Sequence, residues 1–259
     1  MAPIRTGAKN KLLTWNISGN RVKEKVHAII VAAGKGNRMS GSVRKQYIAL
    51  DGIPILRRTL NIFDSCAQLN QIIVVVPDKD LDFCRKEILA SAKLQKDVTL
   101  IAGGSERQNS VYNALKIIEP DEGIVIVHDG VRPFVRQAHL AAVIEGAAEL
   151  GACILGIPAF DTVKKVNPKN EIIQTHPRDM LWLAQTPQVF ELNLIKKAHE
   201  KAQQEGFMGT DDASLVERLG AVVKIIPGSR SNIKITNPED LNLARAIIKD
   251  WPNEAGKQY

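Results

Sequence analysis

V-H-A-I-I-V-A-A-G-K-G-N-R-M-S-G-S-V-R-K-Q-Y, residues 26–47, is the stretch that decides the fold. It begins with a short apolar run, typical of a buried strand, and continues into a loop that contains Gly34 and Gly36. Glycine lets backbone N–H groups approach phosphate oxygens closely, and Arg38 and Lys45 add full positive charges. The stretch therefore predicts a triphosphate site at the end of a buried strand. A strand-to-helix turn that needs glycine for steric reasons alone would have the same sequence.

Two common nucleotide-binding motifs are absent from this loop. It lacks the G-x-x-x-x-G-K-[ST] pattern of P-loop enzymes. It also lacks G-x-G-x-x-G, since Asn37, Arg38 and Met39 follow Gly36. The loop therefore disfavours both a P-loop and a dinucleotide-binding Rossmann site.

The length allows one large α/β domain or two small ones, and the charge indicates a basic N-terminal extension. The chain has 259 residues, of which 44% are hydrophobic, and a net charge of +7. Residues 1–25 carry most of the excess, with six basic side chains and one acidic side chain. We expect residues 1–25 to be a flexible extension, residues 26–250 a single domain and residues 251–259 a tail. The aromatic residues show no interleaved stacking pattern, so we expect no nucleic-acid partner for the domain.

Cysteine and histidine positions show no metal-binding pattern. The three cysteines are far apart, without a C-x-x-C pair, and the five histidines share no ligand spacing. Reduced thiols are typical of cytosolic proteins, and no apolar run reaches the ~18 residues of a membrane span. We expect a cytoplasmic protein of bacterial type with no membrane partner, although the extension leaves a plastid location open.

Apolar runs alternate with amphipathic stretches along the first two-thirds of the chain. After the first strand, further strands are predicted at 72–76, 98–101, 123–127 and 152–157, and helices at 55–63, 81–94, 105–118 and 140–150. Such alternation predicts a Rossmann-like α/β fold, a mostly parallel sheet flanked by helices on both faces.

The third predicted helix begins beside a double glycine at 103–104. Ser105 as N-cap and Gln108 at N3 fit a capping box. The first turns of this helix contain Arg107 and Ser110. Free N–H groups and the helix dipole favour an anion at such a place.

An acid and a cation follow the next predicted strand, in H-D-G-V-R-P at 128–133. Ligands of open α/β sheets bind at the carboxyl ends of strands, where Asp129 and Arg132 are expected. An aspartate that merely caps the following helix is the alternative.

The alternation breaks at 160–178, where period-two segments surround a turn at 167–170. This predicts a projecting β-hairpin arm at about 159–178. Because isolated hairpins are marginally stable, we expect the arm to pack on a second subunit and form a homodimer.

The last third of the chain returns to helices and short strands. Its predicted elements are a helix at 192–204, a helix with Thr210 as N-cap, strands at 222–226 and at 232–236, which carries Lys234, and a last helix with Asn237 as cap and Pro238 at N1.

Eight motifs occur in a fixed order: A-A-G-K-G-N-R-M (32–39), K-Q-Y (45–47), G-G-S-E-R-Q-N-S-V (103–111), H-D-G-V-R-P-F (128–134), D-T-V-K (161–164), Q-T-P-Q-V-F (185–190), G-T-D-D-A-S (209–214) and N-I-K-I-T-x-P-E-D-L (232–241). Together they resemble the 2-C-methyl-D-erythritol 4-phosphate cytidylyltransferase family of the non-mevalonate isoprenoid pathway. The resemblance covers residues 26–249. Two departures, Arg44 where the family often has proline and Gly130 where alanine is common, remove no charged or hydrogen-bonding side chain.

The resemblance implies that CMP is transferred from CTP to a phosphorylated polyol with release of diphosphate. A phosphate monoester has a second pKa of about 6 and needs no general base at neutral pH, so catalysis is expected from alignment and charge neutralisation. The implied catalytic residues are Arg38, Lys45, Asp129, Arg178 and Lys234. The implied nucleotide-binding residues are Ala32, Ala33, Gly34 and Gly36, with Gly103, Gly104 and Ser110 at the cytosine and Gly130 near the ribose.

The resemblance assigns the second substrate to Thr162, Arg178, Thr186, Thr210 and Lys234. Thr162 and Arg178 are implied to reach across from the partner's arm, so that each active site is composite. Mg²⁺, or another divalent metal, is expected on the triphosphate rather than in a protein cage. Asp129 is the acid best placed to orient substrate or a metal-bound water.

Three alternatives remain open at this point. The same chemistry on ribitol 5-phosphate is disfavoured by the G-T-D-D-A-S run and by H-D-G. A non-catalytic nucleotide-binding protein on the same scaffold is disfavoured by the retention of Arg38, Lys45, Asp129 and Lys234. Nucleic-acid binding through residues 1–25 would show a steep salt dependence.

Overall fold

The computed structural model describes residues 13–15, 21–23, 25–34, 43–90, 92–119 and 122–251. Two of the predicted site residues, Gly36 and Arg38, lie outside the described residues, as does most of the basic extension.

The described chain forms strands, α-helices and shorter helical turns. The strands are β1 (Leu13–Trp15), β2 (Arg21–Lys23), β3 (Val26–Val31), β4 (Ala49–Leu50), β5 (Ile53–Pro54), β6 (Gln71–Val76), β7 (Asp97–Ala102), β8 (Ile124–Asp129), β9 (Ala152–Pro158), β10 (Lys164–Val166), β11 (Ile172–Thr175), β12 (Trp182–Glu191) and β13 (Lys224–Pro227). The α-helices are α1 (Ile55–Asp64), α2 (Leu81–Phe83), α3 (Arg107–Leu115), α4 (Gln137–Leu150), α5 (Leu192–Gln204), α6 (Asp212–Arg218) and α7 (Pro238–Lys249). A π-helical turn (Cys84–Leu89) extends α2, and 3₁₀ turns occur at Lys45–Tyr47, Asp78–Asp80 and Arg178–Met180.

Seven strands form the central sheet in the order β13-β9-β12-β8-β3-β6-β7. Strand β12 is antiparallel to β8 and β9, and all other neighbours are parallel. This confirms the predicted fold class. The parallel strands β3 and β8 lie side by side at the centre, so the loops after them meet at one edge of the sheet.

Alternate residues of the central strands point to opposite faces, and each face has its own core. Ala28 and Ile30 of β3 pack in a cluster with residues of α1 and α4. Ile29 packs on the other face with residues of α3 and α5. Covering helices on both faces explain why these strands are almost continuously apolar.

The N-cap of α3 lies one residue later than predicted. Glu106 takes this position instead of Ser105, and Asn109 is at N3 instead of Gln108. Asn109 Oδ1 accepts a hydrogen bond from Glu106 N at 3.2 Å, and the Ser105 hydroxyl donates to the same oxygen at 3.1 Å. The serine thus supports the cap from outside the helix.

Three other local predictions are wrong. The N-cap of α6 is Asp211, whose carboxylate accepts from the backbone N–H at N3, and not Thr210. Residues 232–236 form no strand; this extended segment is fixed by Ile235 N, which donates to Val131 O at 3.0 Å. The second predicted helix, 81–94, ends at Leu89.

The predicted hairpin is present as a separate two-stranded sheet. Strands β10 and β11 pair antiparallel, and every residue in them is exposed. Whether this hairpin makes a dimer is not tested, so its role as a dimerisation arm stays a prediction. None of the helices in the described part of the chain is long and apolar enough to cross a membrane.

Candidate active site

A cavity of about 1030 Å³ opens at the carboxyl ends of the central strands. Residues from five predicted motifs line it, namely Ala32, Ala33, Gly34, Lys45, Gly103, Gly104, Ser110, Asp129 and Lys234. Arg44, Gln46, Pro77, Asp78, Lys79, Ser105, Glu106, Arg107, Val131 and Thr236 line it as well. Motifs that are far apart in sequence therefore meet in one place.

The loop after β3 is fixed before it enters the cavity. Ala32 N donates to Val75 O of β6 at 2.7 Å. Ala32 O accepts from the side chain of Gln46, also at 2.7 Å, and Gln46 is 1% exposed. The K-Q-Y turn that carries Lys45 is thereby tied to the first residue of the glycine loop.

The double glycine beside α3 allows the backbone to come close to its neighbours. A Cβ on Gly103 would overlap the Cβ of Ala33 and lie 2.8 Å from Ser110 Oγ. Ser110 Oγ accepts from Gly104 N and donates to Glu106 O, each at 3.0 Å. The hydroxyl therefore holds the turn in shape, and its contact with cytosine stays a prediction.

Asp129 ends β8 at the centre of a charged cluster. Its Oδ1 accepts from Arg107 Nε at 3.2 Å. Its Oδ2 lies 2.9 Å from Lys234 Nζ and 3.5 Å from Arg132 Nε. The backbone N–H of Asp129 donates to Thr186 Oγ1 at 3.1 Å, which ties the end of β8 to β12.

The cluster keeps Asp129 ionised. Burial acts to raise the pKa of this carboxyl, but the facing charges of Arg107, Lys234 and Arg132 together hold the pKa well below its ordinary value. At neutral pH the site thus contains a fixed negative charge whose partners are all cations. This answers the alternative raised from the sequence, since Asp129 caps no helix.

Arg107 connects this cluster to a second acid that the sequence did not single out. Its Nη1 donates to Asp212 Oδ2 at 2.7 Å, and Asp212 is 1% exposed. Burial acts to lower the pKa of the Arg107 guanidinium, but Asp212 and Asp129 act more strongly in the opposite direction. The pKa of Arg107 is therefore raised above its ordinary value. The position of Arg107 beside a double glycine is a weak signal in the sequence, and its two partners are not visible there.

The segment that carries Lys45 is anchored by contacts of its own. Arg44 Nε lies 2.8 Å from Asp80 Oδ2, and the rings of Tyr47 and Phe83 are 4.9 Å apart. Burial acts to raise the pKa of Asp240, at N3 of α7, but hydrogen bonds from neighbouring N–H and O–H groups and the Lys45 charge lower it. Lys45 is therefore close enough to the first turn of α7 for its charge to act on Asp240.

Several predicted residues do not line the main cavity. Thr186 lies beneath Asp129 and is 5% exposed. Gly130 is buried, and a Cβ there would lie 3.0 Å from Leu56 and 3.1 Å from Ala32. Thr210 lines a separate pocket of about 100 Å³, which shares Arg107 as a wall. Their roles toward ligands stay predictions.

Thr162 and Arg178 are on the hairpin and away from this protomer's cavity. Both are exposed, and Arg178 Nη1 donates to the backbone oxygen of Phe160 at 3.2 Å. Their role in a partner's active site stays a prediction.

No described group of three or more His, Cys, Asp or Glu side chains could hold a metal ion. Three acids line the main cavity, namely Asp78, Glu106 and Asp129. Of these, Asp129 already faces three cations, which compete with any metal for its oxygens.

Comparisons with known proteins agree with one another. A model of the family described as 2-C-methyl-D-erythritol 4-phosphate cytidylyltransferase matches residues 26–250. The enzyme of that name from Geobacillus kaustophilus is 48% identical over 222 residues, covering 85% of this chain and 96% of the relative. The one from Syntrophus aciditrophicus is 47% identical over 228 residues, covering 88% and 97%. The crystal structure of 4-diphosphocytidyl-2C-methyl-D-erythritol synthase from Anaerococcus prevotii superposes with a TM-score of 0.78 at 32% identity, covering 87% of this chain and 96% of that one.

Proposed function

Because the chain belongs to the 2-C-methyl-D-erythritol 4-phosphate cytidylyltransferase family, we propose that the cavity after β3 holds both substrates of that reaction. The chain is a nucleotidyltransferase that transfers CMP from CTP to 2-C-methyl-D-erythritol 4-phosphate. The products are 4-diphosphocytidyl-2-C-methyl-D-erythritol and diphosphate. The relatives and the similar structures favour this substrate over ribitol 5-phosphate, and catalysis over nucleotide binding alone.

The chemistry requires two anions to meet. An oxygen of the substrate phosphate attacks the α-phosphorus of CTP, and the bond from that phosphorus to the bridging oxygen breaks as diphosphate leaves. The attacking phosphate is mostly dianionic at neutral pH, so no proton has to be removed first. What the protein supplies is alignment in line with the leaving group and cations that offset the repulsion.

The observation that carries the proposal is that lysines from two separate motifs line one cavity. Lys45 lies beside the glycine loop that is assigned to the triphosphate, and Lys234 lies beside Asp129 at the other strand end. We assign Lys45, together with Arg38, to the charge that develops on the α-phosphate. We assign Lys234 to the phosphate of the second substrate, with Asp129 orienting the lysine and the polyol hydroxyls.

The experiment is a substrate panel with diphosphate release as the readout. CTP, UTP, ATP and GTP are each combined with 2-C-methyl-D-erythritol 4-phosphate, ribitol 5-phosphate and glycerol 3-phosphate. We expect release only with CTP and, by at least about tenfold in kcat/KM, fastest with the methylerythritol phosphate. Equal or faster turnover of ribitol 5-phosphate would overturn the substrate assignment, and CTP binding without release would overturn catalysis.

A divalent metal completes the proposed site. The described residues offer no cage, whereas Mg²⁺ prefers phosphate oxygens and water. We therefore place the ion on the CTP triphosphate, where it neutralises part of the negative charge. This chain's contribution is to bind the remaining oxygens through backbone N–H groups and Lys45.

We propose further that the protein acts as a homodimer through its hairpin. The hairpin and its flanks expose large apolar side chains, including Phe160, Val166, Ile172, Ile173 and Met180. Such a patch favours a protein–protein contact. The cytoplasmic location and the boundaries of the terminal segments stay predictions.

A mixing experiment tests the composite site. Lys45→Ala and Arg178→Ala are each expected to be nearly inactive alone. In a mixed dimer, one site combines an intact cavity with an intact arm, so an equimolar mixture should recover about a quarter of the wild-type activity. If subunit exchange is verified and the mixture still recovers no activity, a site shared between protomers is refuted.

A further inference from the structure

The guanidinium of Arg107 connects the cavity to a buried carboxylate at the start of α6. Arg107 lies at the first position of α3 and reaches Asp129 through Nε at 3.2 Å and Asp212 through Nη1 at 2.7 Å. The other oxygen of Asp212 lies 3.2 Å from His199 Nε2, and both side chains are 1% exposed. Gln188 accepts from the backbone N–H of Asp212 at 3.1 Å. Asp212 is thus a fixed anchor for Arg107.

The two oxygens of Asp129 face different cations. Oδ1 faces Arg107, whereas Oδ2 faces Lys234 at 2.9 Å and Arg132 at 3.5 Å. In the proposed function Lys234 also binds the phosphate of the second substrate. The Asp129 carboxylate and that phosphate therefore compete for the same ammonium group.

We propose that Arg107 is a positioning residue for the second substrate. By neutralising Oδ1 of Asp129, it weakens the hold of the carboxylate on Lys234 and leaves the ammonium group available to the incoming phosphate. Asp212 serves this role by keeping the guanidinium in one orientation. This inference rests on the proposed function where it assigns that phosphate to Lys234.

An arginine suits this position for a geometric reason. Its guanidinium offers separate N–H groups in one rigid plane, so Nε and Nη1 can serve two carboxylates at once. A lysine has one charged nitrogen on a flexible stem and would have to choose between Asp129 and Asp212. The arrangement also differs from a simple phosphate-binding arginine, because two donors of Arg107 are already used by protein groups.

The competing explanation is that Arg107, which lines the cavity, contacts the phosphate directly. The two explanations differ in how they depend on Asp129. A direct contact is lost in Arg107→Gln whether or not Asp129 is charged. An effect that passes through Asp129 disappears once Asp129→Asn has removed the competitor for Lys234.

The experiment is a double-mutant cycle with binding and kinetic readouts. Affinity for inorganic phosphate and for 2-C-methyl-D-erythritol 4-phosphate is measured by calorimetry in wild type, Arg107→Gln, Asp129→Asn and the double variant. Steady-state KM values are measured for both substrates in wild type, Arg107→Gln and Asp212→Asn. Arg218→Gln is the matched control, since it removes an arginine on α6 whose partners, Glu205 at 2.8 Å and the Phe207 ring at 4.3 Å, do not line the main cavity.

We expect Arg107→Gln to raise the KM for the polyol phosphate by about tenfold or more, because Asp129 then holds Lys234 more strongly, by about the worth of the charged hydrogen bond that Arg107 no longer donates. The KM for CTP should change less than about twofold. Asp212→Asn should act in the same direction, and Arg218→Gln should leave both KM values unchanged. In the Asp129→Asn background, Arg107→Gln should change phosphate affinity by less than about twofold.

Three results would overturn the inference. One is an equal loss of phosphate affinity with and without the Asp129 charge, which indicates direct contact. Another is a parallel rise in both KM values, which indicates a general structural role. The third is wild-type KM values in Asp212→Asn, because this substitution removes the side chain that is inferred to orient Arg107. If wild type releases no diphosphate, the proposed function is wrong, but the phosphate-binding cycle still decides the role of Arg107.

Discussion

His128 makes the stability of the fold depend on pH in a way that can be calculated. It precedes Asp129 in β8, is 0% exposed, and its ring lies 4.8 Å from that of Phe63. Its Nε2 is 3.0 Å from the carbonyl oxygen of Arg132. Because a carbonyl only accepts, Nε2 carries the proton in the neutral ring, and protonation has to occur at Nδ1. Among the described residues, Nδ1 has no hydrogen-bond partner.

The cost of charging this ring follows from its surroundings. Burial, aided by the nearby Arg132 and Arg107 charges, lowers the pKa of His128 from 6.5 to about 4, although the Arg132 carbonyl and Asp129 oppose the shift. Between these values the unfolded chain binds a proton that the folded chain does not, so stability falls as pH falls. The full loss is about 3 kcal/mol at about 1.4 kcal/mol per pKa unit, and about 2 kcal/mol of it is reached by pH 5.

The test compares wild type with His128→Gln, whose side-chain amide can still donate to the Arg132 carbonyl. Urea unfolding is followed by circular dichroism from pH 7.5 to pH 5 at one protein concentration. We expect the variant to lose about 2 kcal/mol less than wild type over this range, whatever its stability at pH 7.5. Parallel pH profiles for wild type and His128→Gln would refute the reasoning.

Four further outcomes concern activity. Lys45→Ala should lower kcat by about 10²–10³-fold with its melting temperature retained; near-normal turnover would remove Lys45 from the transition state. Lys234→Ala should raise the KM for the polyol phosphate more than that for CTP, and the reverse order would contradict its assignment. Gly103→Ala should raise the KM for CTP by about tenfold or more, because Ala33 or Ser110 has to move; unchanged CTP kinetics would show that the turn can yield. Chelation by EDTA should stop diphosphate release and added Mg²⁺ should restore it, with melting temperature unchanged, since the ion is assigned to CTP; release that persists in EDTA would contradict this.

The parallel strands could be predicted because each of them leaves a signal in its own stretch of sequence. Runs such as Ile72–Val76 are apolar at every position because helices cover both faces of the sheet, and this leaves a plain signal in the sequence. Strand β12 left no such signal. It contains Pro187, and its pairing with β9 shifts register between Ala184 and Gln188. Its antiparallel direction is set by neighbours that are distant in sequence.

Helix starts were missed by one residue for a different reason. At Ser105–Glu106 and at Thr210–Asp211, two adjacent side chains can both accept a hydrogen bond from a helix N-terminus. Which one does so depends on the backbone angle at which the preceding loop arrives. Before α6 that loop is held by Gln108, whose side-chain oxygen accepts from Gly209 N at 2.9 Å. Propensity alone cannot rank the two candidates.

The residues of the candidate site also divide into those with a local signal in the sequence and those without one. Lys45, Asp129 and Lys234 could be predicted as one cavity because each belongs to a motif with its own local signature. Arg107 could not be predicted as part of the site, because its role depends on Asp212, which follows it by 105 positions. Gln46 was quoted only as part of K-Q-Y, and its buried contact with Ala32 is visible only in three dimensions.

A cavity that joins two polyanions must keep its cations together when no anion is present, and the acids explain how. Arg44 is paired with Asp80, Arg107 with Asp129 and Asp212, and Lys234 with Asp129. Unpaired cations at these distances would repel one another in a partly desolvated site. In the proposed function, an incoming phosphate would exchange with a carboxylate for these cations. Such an exchange would limit the affinity for any single anion, and the same limit would allow diphosphate to leave.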